Sequence, residues 1–472
     1  MENIIEELRE DFLKDSSKPF LALAEHLIED KNYTALKEVV SAANELAIID
    51  TMNHLSTEEK AILYRLLSKD KALRVFEQLD MSDQHRLITS FTEDAAIAII
   101  KELEPDDRVR LMDELPAKVT KRMLSSLSPE QREMTNLLMG FEEGTAGRTM
   151  TPLYVRIKRN MTVAQAMEKV KRVAKDMETV YTIYVTDEKR KLEGVLSLRE
   201  LIVADDKEKI ENIMNSNVTT VNTCTPQEDV ARTLQKLSVL ALPVVDMEDL
   251  LVGIVTVDDA MDILEDEATD TILDTAGLTG SSKNSESSRS ETLIRGSFWK
   301  IWRIRLPFLL LTLVGGLLAG SVIGFFEDTL ESILAVAIFI PVIMDMGGSV
   351  GTQSSTIFAR GVVLEHINTK RVWRHIGKEV IVGLSMGLIA GITCGLVAFI
   401  WQGMWGLGLA VGLSVMFTMT LASLMGFLIP FLMLKLNVDQ AAATAPIITT
   451  VKDVTGLFIY FGFVALFLGH LL

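Results

Sequence analysis

Five long apolar segments, all after residue 305, are the feature that most restricts how this chain can fold. Each is longer than the ~20 residues that an α-helix needs to cross the hydrocarbon core of a bilayer. The predicted spans are Leu306–Phe326, Ile333–Phe358, Val380–Ile400, Leu407–Leu434 and Pro446–Leu472. The sequence therefore predicts a five-helix transmembrane domain over residues 305–472 of a multi-domain membrane protein.

Charge is segregated between the two parts of the chain. The first 300 residues carry 38 Lys and Arg against 56 Asp and Glu, whereas the remainder carries 9 against 8. An acidic soluble part has no basic surface for phosphates, so no nucleic acid is expected as a partner. The acidic balance favours binding of cations, with simple solubility as the alternative.

The loops between the spans predict the orientation of the chain. Arg303 and Arg305 precede the first span, Glu327 and Asp328 follow it, and the loop after the second span is basic. By the positive-inside rule the N-terminal part is cytosolic and the C-terminus lies outside. The charged start, MENIIEELREDF, lacks the apolar core of a signal peptide. We expect a multi-pass protein of the plasma membrane.

Residues 1–140 contain a helical repeat. Leucines recur every 24 residues, at Leu55, Leu79, Leu103 and Leu127. Each is followed within two residues by Ser, Asp or Pro, which commonly begin helices. Stacked helical hairpins of this length form a superhelix, so an acidic α-helical repeat domain is predicted here.

Residues 141–270 contain a second internal repeat. Asp187 and Asp246 are 59 residues apart, and so are Gly194 and Gly253. Each unit has a β-branched strand, a charged turn, a second strand and the start of a helix, downstream of an extended segment and an amphipathic helix. The units YTIYVTDEKRKLEGVLSLREL and LALPVVDMEDLLVGIVTVDDA resemble a tandem of cystathionine-β-synthase (CBS) domains, which implies an α/β pair.

Asp453 lies within the fifth apolar segment, APIITTVKDVTGLFIYFGFVALFLGHLL. An ionisable side chain inside a membrane is costly and usually faces the bundle interior or a wet pathway. Mg²⁺ keeps several waters and is commonly bound through one or two carboxylates, so one aspartate with nearby hydroxyls suits a hydrated ion. The alternative is an ion pair with Lys452. Adjacent helical residues do not face each other, so we expect no such pair.

Asp345 lies in the second apolar segment, IFIPVIMDMGGSVGTQS, and with Asp453 it suggests a cation pathway. Proline and glycine here are expected to interrupt the helix, and irregular backbone at membrane depth occurs only against protein or a wet cavity. Close packing of helices at small residues is the alternative. The residues concerned are Pro341, Gly347, Gly348 and Gly351.

Acidic residues are concentrated at the end of the second CBS-like unit. Like-charged faces repel when no ion is bound, and divalent ions can bridge them. An exposed acidic helix is the alternative. The residues are Asp258, Asp259, Asp262, Glu265, Glu267 and Asp270.

CBS pairs commonly hold adenosine nucleotides through a G-h-h-[ST]-x-x-D element. Thr256 and Asp259 fit this element in the second unit, whereas Ser197 and Glu200 fit it less well in the first. The resemblance therefore implies ATP as a candidate ligand of Thr256 and Asp259.

The whole chain resembles the MgtE family of bacterial magnesium channels. The motifs that carry the resemblance are ELEPDDRVRLMDELP, AGRTMTP, LVGIVTVDDAMDILEDEATD, PVIMDMGGSVGTQS and VDQAAATAPIITTVKDVTGLFIY. The resemblance implies a homodimer in which the helical and CBS domains lie below a pore domain, with residues 271–304 as a connecting, plug-like helix and linker. It makes Asp453 the pore aspartate and places Thr449 and Ala445 on the same pore-lining helix.

The resemblance also implies closure of the pore by cytosolic Mg²⁺ bound between the soluble domains. The chain departs from the family pattern at five positions. Asp345 stands where a small residue is common, and Ser349 and Ala445 each stand where asparagine is common. Asp270 replaces a glutamate, and Ser238 replaces an aspartate. The sensor residues implied are Asp259, Glu267, Asp270 and Glu228, with Asp262 among them.

The leading interpretation is a Mg²⁺-selective uptake channel closed by cytosolic Mg²⁺. One alternative is a channel that passes Mn²⁺ or Co²⁺ as readily, which flux with competing ions would separate. The other is a CBS-based membrane sensor that conducts nothing. No enzyme is expected, because the sequence has no nucleophile–base set and no phosphate-binding loop.

Overall fold

The computed structural model describes residues 17–276, 278, 292–294, 296–363, 366–367, 371–436 and 440–469. The chain divides after Glu267 into two compact units. The first unit holds the helical repeat and the CBS-like repeat, and the second holds the apolar segments.

Helices cover most of the described residues from 17 to 139. Alternate helices pack together, α4 on α6, α6 on α8 and α8 on α10, as in the predicted superhelix. The bounds are α1 Ser17–Glu29, α2 Tyr33–Ala42, α3 Glu45–His54, α4 Thr57–Leu66, α5 Lys69–Glu77, α6 Met81–Ser90, α7 Glu93–Glu102, α8 Pro105–Asp113, α9 Ala117–Ser126 and α10 Pro129–Met139.

The 24-residue repeat coincides with the helix boundaries. All four repeating leucines are buried at the ends of helices or in the turns that follow them. Ser56 begins α4 and Ser128 begins α10, each with a capping box in which the third helical residue bonds back to the cap. The predicted helical domain is therefore confirmed, and its leucines form the core between successive hairpins.

A buried ion pair joins α4 to α6 in this domain. The Lys60 ammonium donates to the Asp83 carboxylate, and their side chains are only 2% and 6% exposed. Removing one partner of a buried pair leaves the other charge unpaired in a region of low dielectric, which costs about 3–5 kcal/mol.

We expect Asp83→Ala to lower the local stability of this region by about 3–5 kcal/mol. Hydrogen–deuterium exchange at α4 and α6 in the full chain measures the loss. Glu102→Ala is the control, because it removes the exposed Lys69–Glu102 pair, which is worth at most about 1 kcal/mol. Equal exchange in the two variants would contradict a stabilising role for the buried pair.

Two three-stranded sheets of identical topology follow, β1-β2-β3 and β4-β5-β6. In each sheet the first two strands are parallel and the last two antiparallel. The elements are α11 Ala146–Thr149, β1 Tyr154–Lys158, α12 Val163–Val173, β2 Thr179–Thr186, β3 Leu192–Ser197, α13 Leu198–Val203, α14 Ile210–Ile213, β4 Val221–Asn222, α15 Gln227–Leu237, β5 Ala241–Val245, β6 Leu251–Thr256 and α16 Val257–Thr275.

Gly194 and Gly253 occupy equivalent positions in β3 and β6. A Cβ at Gly253 would lie 2.6 Å from Met150 Sδ, and one at Gly194 would lie 2.9 Å from Met214 Sδ. Glycine is needed at both places because an extended segment passes directly over the strand. The two sheets also join each other, since the Tyr154 hydroxyl donates to the Leu251 carbonyl at 2.9 Å. The predicted α/β pair is confirmed.

Among its described residues, the second unit contains five helical spans long and apolar enough to cross a membrane, which agrees with the predicted number. They run over Phe298–Phe325, Leu334–Val362, Val372–Gln402, Trp405–Lys435 and Pro446–Leu468. The helices are α17 Phe298–Phe325, α18 Glu327–Ser332, a 3₁₀ turn Leu334–Phe339, α19 Ile340–Val363, α20 Val372–Gln402, α21 Trp405–Lys435 and α22 Gln440–Leu468.

The helix ends differ from the predicted boundaries. α17 starts before and α20 extends beyond the predicted spans, because basic and aromatic residues continue the helices past the apolar stretch. The predicted boundary at residue 270 falls inside α16, and residues 277, 279–291 and 295 of the predicted connector lie outside the described residues. The predicted division into four domains stays a prediction.

Glycines bring α20 and α21 together. A Cβ at Gly391 would lie 2.4 Å from the Gly412 carbonyl oxygen, and one at Gly412 would lie 2.8 Å from the Gly391 carbonyl oxygen. Small residues at such crossings let helix backbones approach closely in a membrane. This crossing gives α21 its central place against α19, α20 and α22.

Candidate ion pathway and regulatory metal site

Asp453 lies in the middle of α22, with its side chain only 12% exposed. Thr449 is one turn earlier on the same face, and Ala445 is one turn earlier again. The backbone of Ala445 belongs to the helix, but its side chain lies outside the described residues. Thr455 is two positions after Asp453 and so lies on another face of α22, and its hydroxyl donates to the Val451 carbonyl at 2.6 Å. Thr449 therefore places a hydroxyl on the same face of α22 as the carboxylate.

Lys452 contacts Asp453, and our expectation that they would not pair was wrong. The Lys452 Nζ lies 3.0 Å from Asp453 Oδ1. Adjacent helical residues do point their Cβ atoms in different directions, but the flexible four-carbon stem of lysine lets the ammonium reach around the helix. The contact is an ion pair without hydrogen-bond geometry, and no described residue gives Oδ1 a hydrogen bond.

α19 is continuous through its glycines, which corrects the predicted interruption. A Cβ at Gly347 would lie 2.9 Å from Thr418 Cγ2, and one at Gly351 would lie 3.1 Å from Ile448 Cγ2. The glycines serve close packing against α21 and α22, the alternative considered above. The irregular backbone of this segment is instead the 3₁₀ turn that precedes Ile340.

Asp345 lies on a different face of α19 from the glycines, and its side chain is exposed on the single chain. The Asp453 side chain, by contrast, is only 12% exposed. Asp345 starts a line of exposed polar residues that are three or four positions apart, so they share one helix face. This polar stripe consists of Asp345, Ser349, Thr352, Gln353 and Thr356.

Glu379 is a third carboxylate of the apolar helices, which the sequence interpretation missed. The Ser354 hydroxyl donates to its Oε1 at 2.7 Å, and the Ser423 hydroxyl approaches the same oxygen at 3.3 Å. Both serines are buried. Because the three residues come from α20, α19 and α21, this network links three helices. The predicted span started one residue after Glu379, so the sequence placed it in a loop.

In the first unit, three carboxylates converge where the helical repeat meets the CBS-like sheets. One carboxylate oxygen from each of Glu104, Asp106 and Glu178 lies within 4.8 Å of the others. Glu104 caps α8, Asp106 lies in its first turn, and Glu178 immediately precedes β2. Asp106 Oδ1 and Glu178 Oε2 are buried and have no hydrogen-bond partner among the described residues.

The pKa values of Asp106, Glu178 and the nearby Asp259 are raised. Burial and then the charge of Asp259 hold the pKa of Asp106 well above its usual range. Burial, followed by a hydrogen bond with Glu104, raises the pKa of Glu178. Burial also raises the pKa of Asp259. Neighbouring carboxylates add to the effect of burial on Asp106 and Glu178, and that part of the shift is what a bound cation would relieve. An all-oxygen set suits Mg²⁺ or Ca²⁺. The residues present therefore fit a divalent cation.

Arg110 offsets part of this negative charge. It lies 2.9 Å from Asp107 and 3.6 Å from Asp262, measured between guanidinium nitrogen and carboxylate oxygen. Glu77, on α5, also lies in the field of the cluster, since burial and the charge of Glu104 raise its pKa to about 7. Acidic groups thus outnumber the neighbouring cation, and the cluster stays electronegative.

The predicted sensor residues are distributed along two helices. Asp259 joins the cluster, and Asp262 pairs with Arg110. Glu267 accepts a hydrogen bond from Arg232. Burial and the charge of Glu267 raise the pKa of Glu228. The remaining residue, Asp270, lies beyond Glu267 in α16 and belongs to the second unit.

Thr256 and Asp259 contact each other. The Thr256 hydroxyl donates to Asp259 Oδ2 at 2.7 Å at the start of α16. Ser197 and Glu200 form the equivalent capping box at the start of α13. The G-h-h-[ST]-x-x-D pattern thus also describes a helix cap, which needs no nucleotide to explain it.

Glu104, Asp106 and Glu178 were missed for an understandable reason. Acidic residues beside a proline at a helix start are common caps, so the run Glu104-Pro105-Asp106 by itself predicts no more than the start of a helix. The partner that turns this cap into a cluster is Glu178, 72 positions after Asp106. Only the fold brings the two segments together.

Three family models match the chain. A model described as a divalent cation transporter matches residues 340–463. The MgtE intracellular N domain matches residues 43–144, and the CBS domain matches residues 146–207 and 210–266.

Relatives of known name are similar over most of their length. The magnesium transporter MgtE of Thermus thermophilus is 38% identical over 335 residues, 70% of this chain and 71% of that protein. The magnesium transporter MgtE of Bacillus subtilis is 35% identical over 341 residues, 72% of this chain and 73% of that protein. A solved structure, the cytosolic domain of the Mg²⁺ channel MgtE in complex with ATP, is 37% identical. It covers 52% of this chain and 99% of its own, with a TM-score of 0.49.

Proposed function

The chain belongs to the MgtE family of magnesium transporters, and we propose that it is a Mg²⁺-selective channel for Mg²⁺ uptake across the plasma membrane, closed by cytosolic Mg²⁺. Its relatives are transporters rather than enzymes, and so is this chain. The observation that carries the proposal is Asp453, a carboxylate in the middle of an apolar helix with part of its surface still exposed. A charge at that depth is retained where ions or water pass.

The polar stripe of α19 supports passage between two copies of the chain. Asp345, Ser349 and Thr352 are exposed on the single chain, although they lie on a helix long enough to span the membrane. Polar side chains inside a membrane face protein or a water-filled cavity rather than lipid. A second copy packed around this stripe would supply that environment. A homodimer with a shared pathway is therefore part of the proposal.

We expect the polar stripe to be reachable from water. Thr352→Cys, in a chain whose Cys224 and Cys394 are replaced by serine, should react with a water-soluble thiol reagent about tenfold faster or more than Ile389→Cys. Ile389 is the control because it is 70% exposed on the single chain but belongs to the apolar surface of α20. Equal rates would place the stripe against lipid and contradict a pathway there.

Closure is proposed to act through the carboxylates Glu104, Asp106, Glu178 and Asp259. Without a cation these groups repel one another or take up protons, as the raised pKa values of Asp106, Glu178 and Asp259 indicate. A divalent cation would bridge the helical domain and the CBS pair, and so favour one arrangement of the soluble part. Asp262, Glu267, Asp270 and Glu228 are the further residues proposed for sensing.

ATP is the second proposed ligand of the soluble part, with Thr256 and Asp259 as its predicted contacts. The similarity to a cytosolic domain solved in complex with ATP supports testing it. Because Asp259 also faces the acidic cluster, ATP and the regulatory cation would be coupled through one residue.

The orientation is part of the proposal as well. An odd number of spans puts the two ends of the chain on opposite sides, so a cytosolic N-terminal part leaves the C-terminus outside. The basic residues near the start of α17 and around the start of α20 favour this arrangement.

Cation entry into proteoliposomes tests the function. Purified chain should admit Mg²⁺ faster than protein-free vesicles, and Mn²⁺ or Co²⁺ at equal concentration should inhibit Mg²⁺ entry only weakly. Equal inhibition and entry by Mn²⁺ or Co²⁺ would indicate a broader divalent channel. Entry no faster than in protein-free vesicles would indicate a sensor that conducts nothing.

A further inference from the structure

The Lys452 ammonium is held beside the pathway carboxylate by two contacts. Its Nζ lies 3.0 Å from Asp453 Oδ1 and donates to the Met344 carbonyl oxygen at 3.0 Å. The two charged side chains are 9% and 12% exposed. A lysine this deep in a membrane span is as costly as the aspartate, and a chance surface pairing does not explain it.

Two glycines of α19 make room for the lysine side chain. A Cβ at Gly348 would lie 2.6 Å from Lys452 Nζ, and one at Gly347 would lie 3.6 Å from Lys452 Cδ. Any larger residue at position 348 would therefore push the ammonium away. The position of the Lys452 side chain is therefore determined by α19 as well as by α22.

An ammonium next to Asp453 changes what the carboxylate can attract. The positive charge cancels much of the field of the carboxylate and repels any cation that approaches the same group. A monovalent ion gains little by competing with a covalently attached monovalent charge. A divalent ion carries twice the charge and can still bind at the oxygen that Lys452 leaves open.

We propose that Lys452 is an attached counter-ion that lowers the affinity of Asp453 for cations and restricts its use to divalent ones. This inference rests on the proposed function, because it assumes that Mg²⁺ passes Asp453. Lys452 is a specificity-determining residue on this view. It need not leave the Met344 carbonyl while an ion passes.

Lys452→Met in the full reconstituted chain tests the inference. Methionine keeps an unbranched side chain of similar length and removes the charge. The Mg²⁺ concentration for half-maximal entry should fall roughly tenfold, since a positive charge a few ångströms from the carboxylate no longer repels the entering ion. Na⁺, added in excess, should begin to inhibit Mg²⁺ entry. Lys435→Met is the matched control, because Lys435 is exposed at the end of α21. This variant should leave both the half-maximal Mg²⁺ concentration and the lack of inhibition by Na⁺ unchanged.

Gly348→Ala provides a second test that keeps the lysine. The added methyl group displaces the ammonium, so the half-maximal concentration should move in the same direction as in Lys452→Met. If Lys452→Met does not fold, this variant decides the question. A slower maximal rate and lower melting temperature, with an unchanged half-maximal concentration, would assign Lys452 a purely structural role and overturn the inference.

Asp453→Asn, measured alongside, separates this inference from the proposed function. If Asp453→Asn conducts like the wild type, the proposed pathway is wrong. If Asp453→Asn abolishes entry while Lys452→Met and Gly348→Ala leave the half-maximal concentration unchanged, only the role of Lys452 is wrong.

Discussion

Asp453→Asn is expected to reduce Mg²⁺ entry by about 100-fold or more, because a divalent ion within about 4 Å of a carboxylate gains several kcal/mol at the effective dielectric of a protein. Asparagine keeps the shape of the side chain and removes its charge. The loss is increased by Lys452, whose ammonium would then stand unbalanced beside the pathway. Initial rates of entry into proteoliposomes, at matched protein content, measure the effect.

Two comparisons make this result specific. Asp328→Asn removes an exposed carboxylate from α18 in the same unit and should leave entry unchanged. The double variant Lys452→Met/Asp453→Asn removes both charges. Entry that recovers partly in the double variant would assign the excess loss to the unbalanced lysine. Undiminished entry in Asp453→Asn itself would refute the pathway.

Glu178→Gln is expected to change the soluble part in two opposite directions. Without Mg²⁺ the variant should melt at a higher temperature than the wild type, because one of the crowded negative charges is gone. The rise in melting temperature that Mg²⁺ causes should be smaller in the variant than in the wild type. A tenfold loss of affinity reduces the stabilisation at 100 times Kd from about 2.7 to about 1.4 kcal/mol. Thermal unfolding of the full chain, in chelator and in Mg²⁺, measures both.

Glu168→Gln is the matched control for this prediction. Glu168 pairs with Arg172 on the exposed face of α12, away from the cluster, so the same substitution there should change neither value. Closure of the pore should change in parallel, because Glu178→Gln should need a higher cytosolic Mg²⁺ concentration to close than the wild type does. A variant that melts lower in chelator and keeps the full Mg²⁺ response would contradict a regulatory site at Glu178.

The fold could be predicted because its signals are local and repeated. The 24-residue leucine spacing and the 59-residue offset of Gly194 and Gly253 each recur in register, and apolar length defines the spans. The helix through Gly347 and Gly348 was predicted wrongly for a physical reason. In isolation glycine weakens a helix, but against a neighbouring helix it permits close packing, and the sequence does not say which applies.

The sites were harder to predict because their members are distant in sequence. Asp453 could be identified from the sequence alone, because an ionisable side chain inside a membrane is costly. The convergence of Asp106 and Glu178 depends on how the helical repeat meets the CBS pair. The Lys452–Asp453 pair was rejected on helix geometry, since Cβ directions were considered and the reach of the lysine stem was not. Glu379 was missed because the charge-free part of its helix starts immediately after it.

The most direct test of a Mg²⁺ pathway past Asp453 is the current through wild-type chains in a planar bilayer with Mg²⁺ as the permeant cation. We predict a current that reverses at the Mg²⁺ equilibrium potential and falls when Mg²⁺ is raised on the side of the soluble domains. A bilayer that contains the folded chain and passes no more Mg²⁺ current than a protein-free one would contradict it.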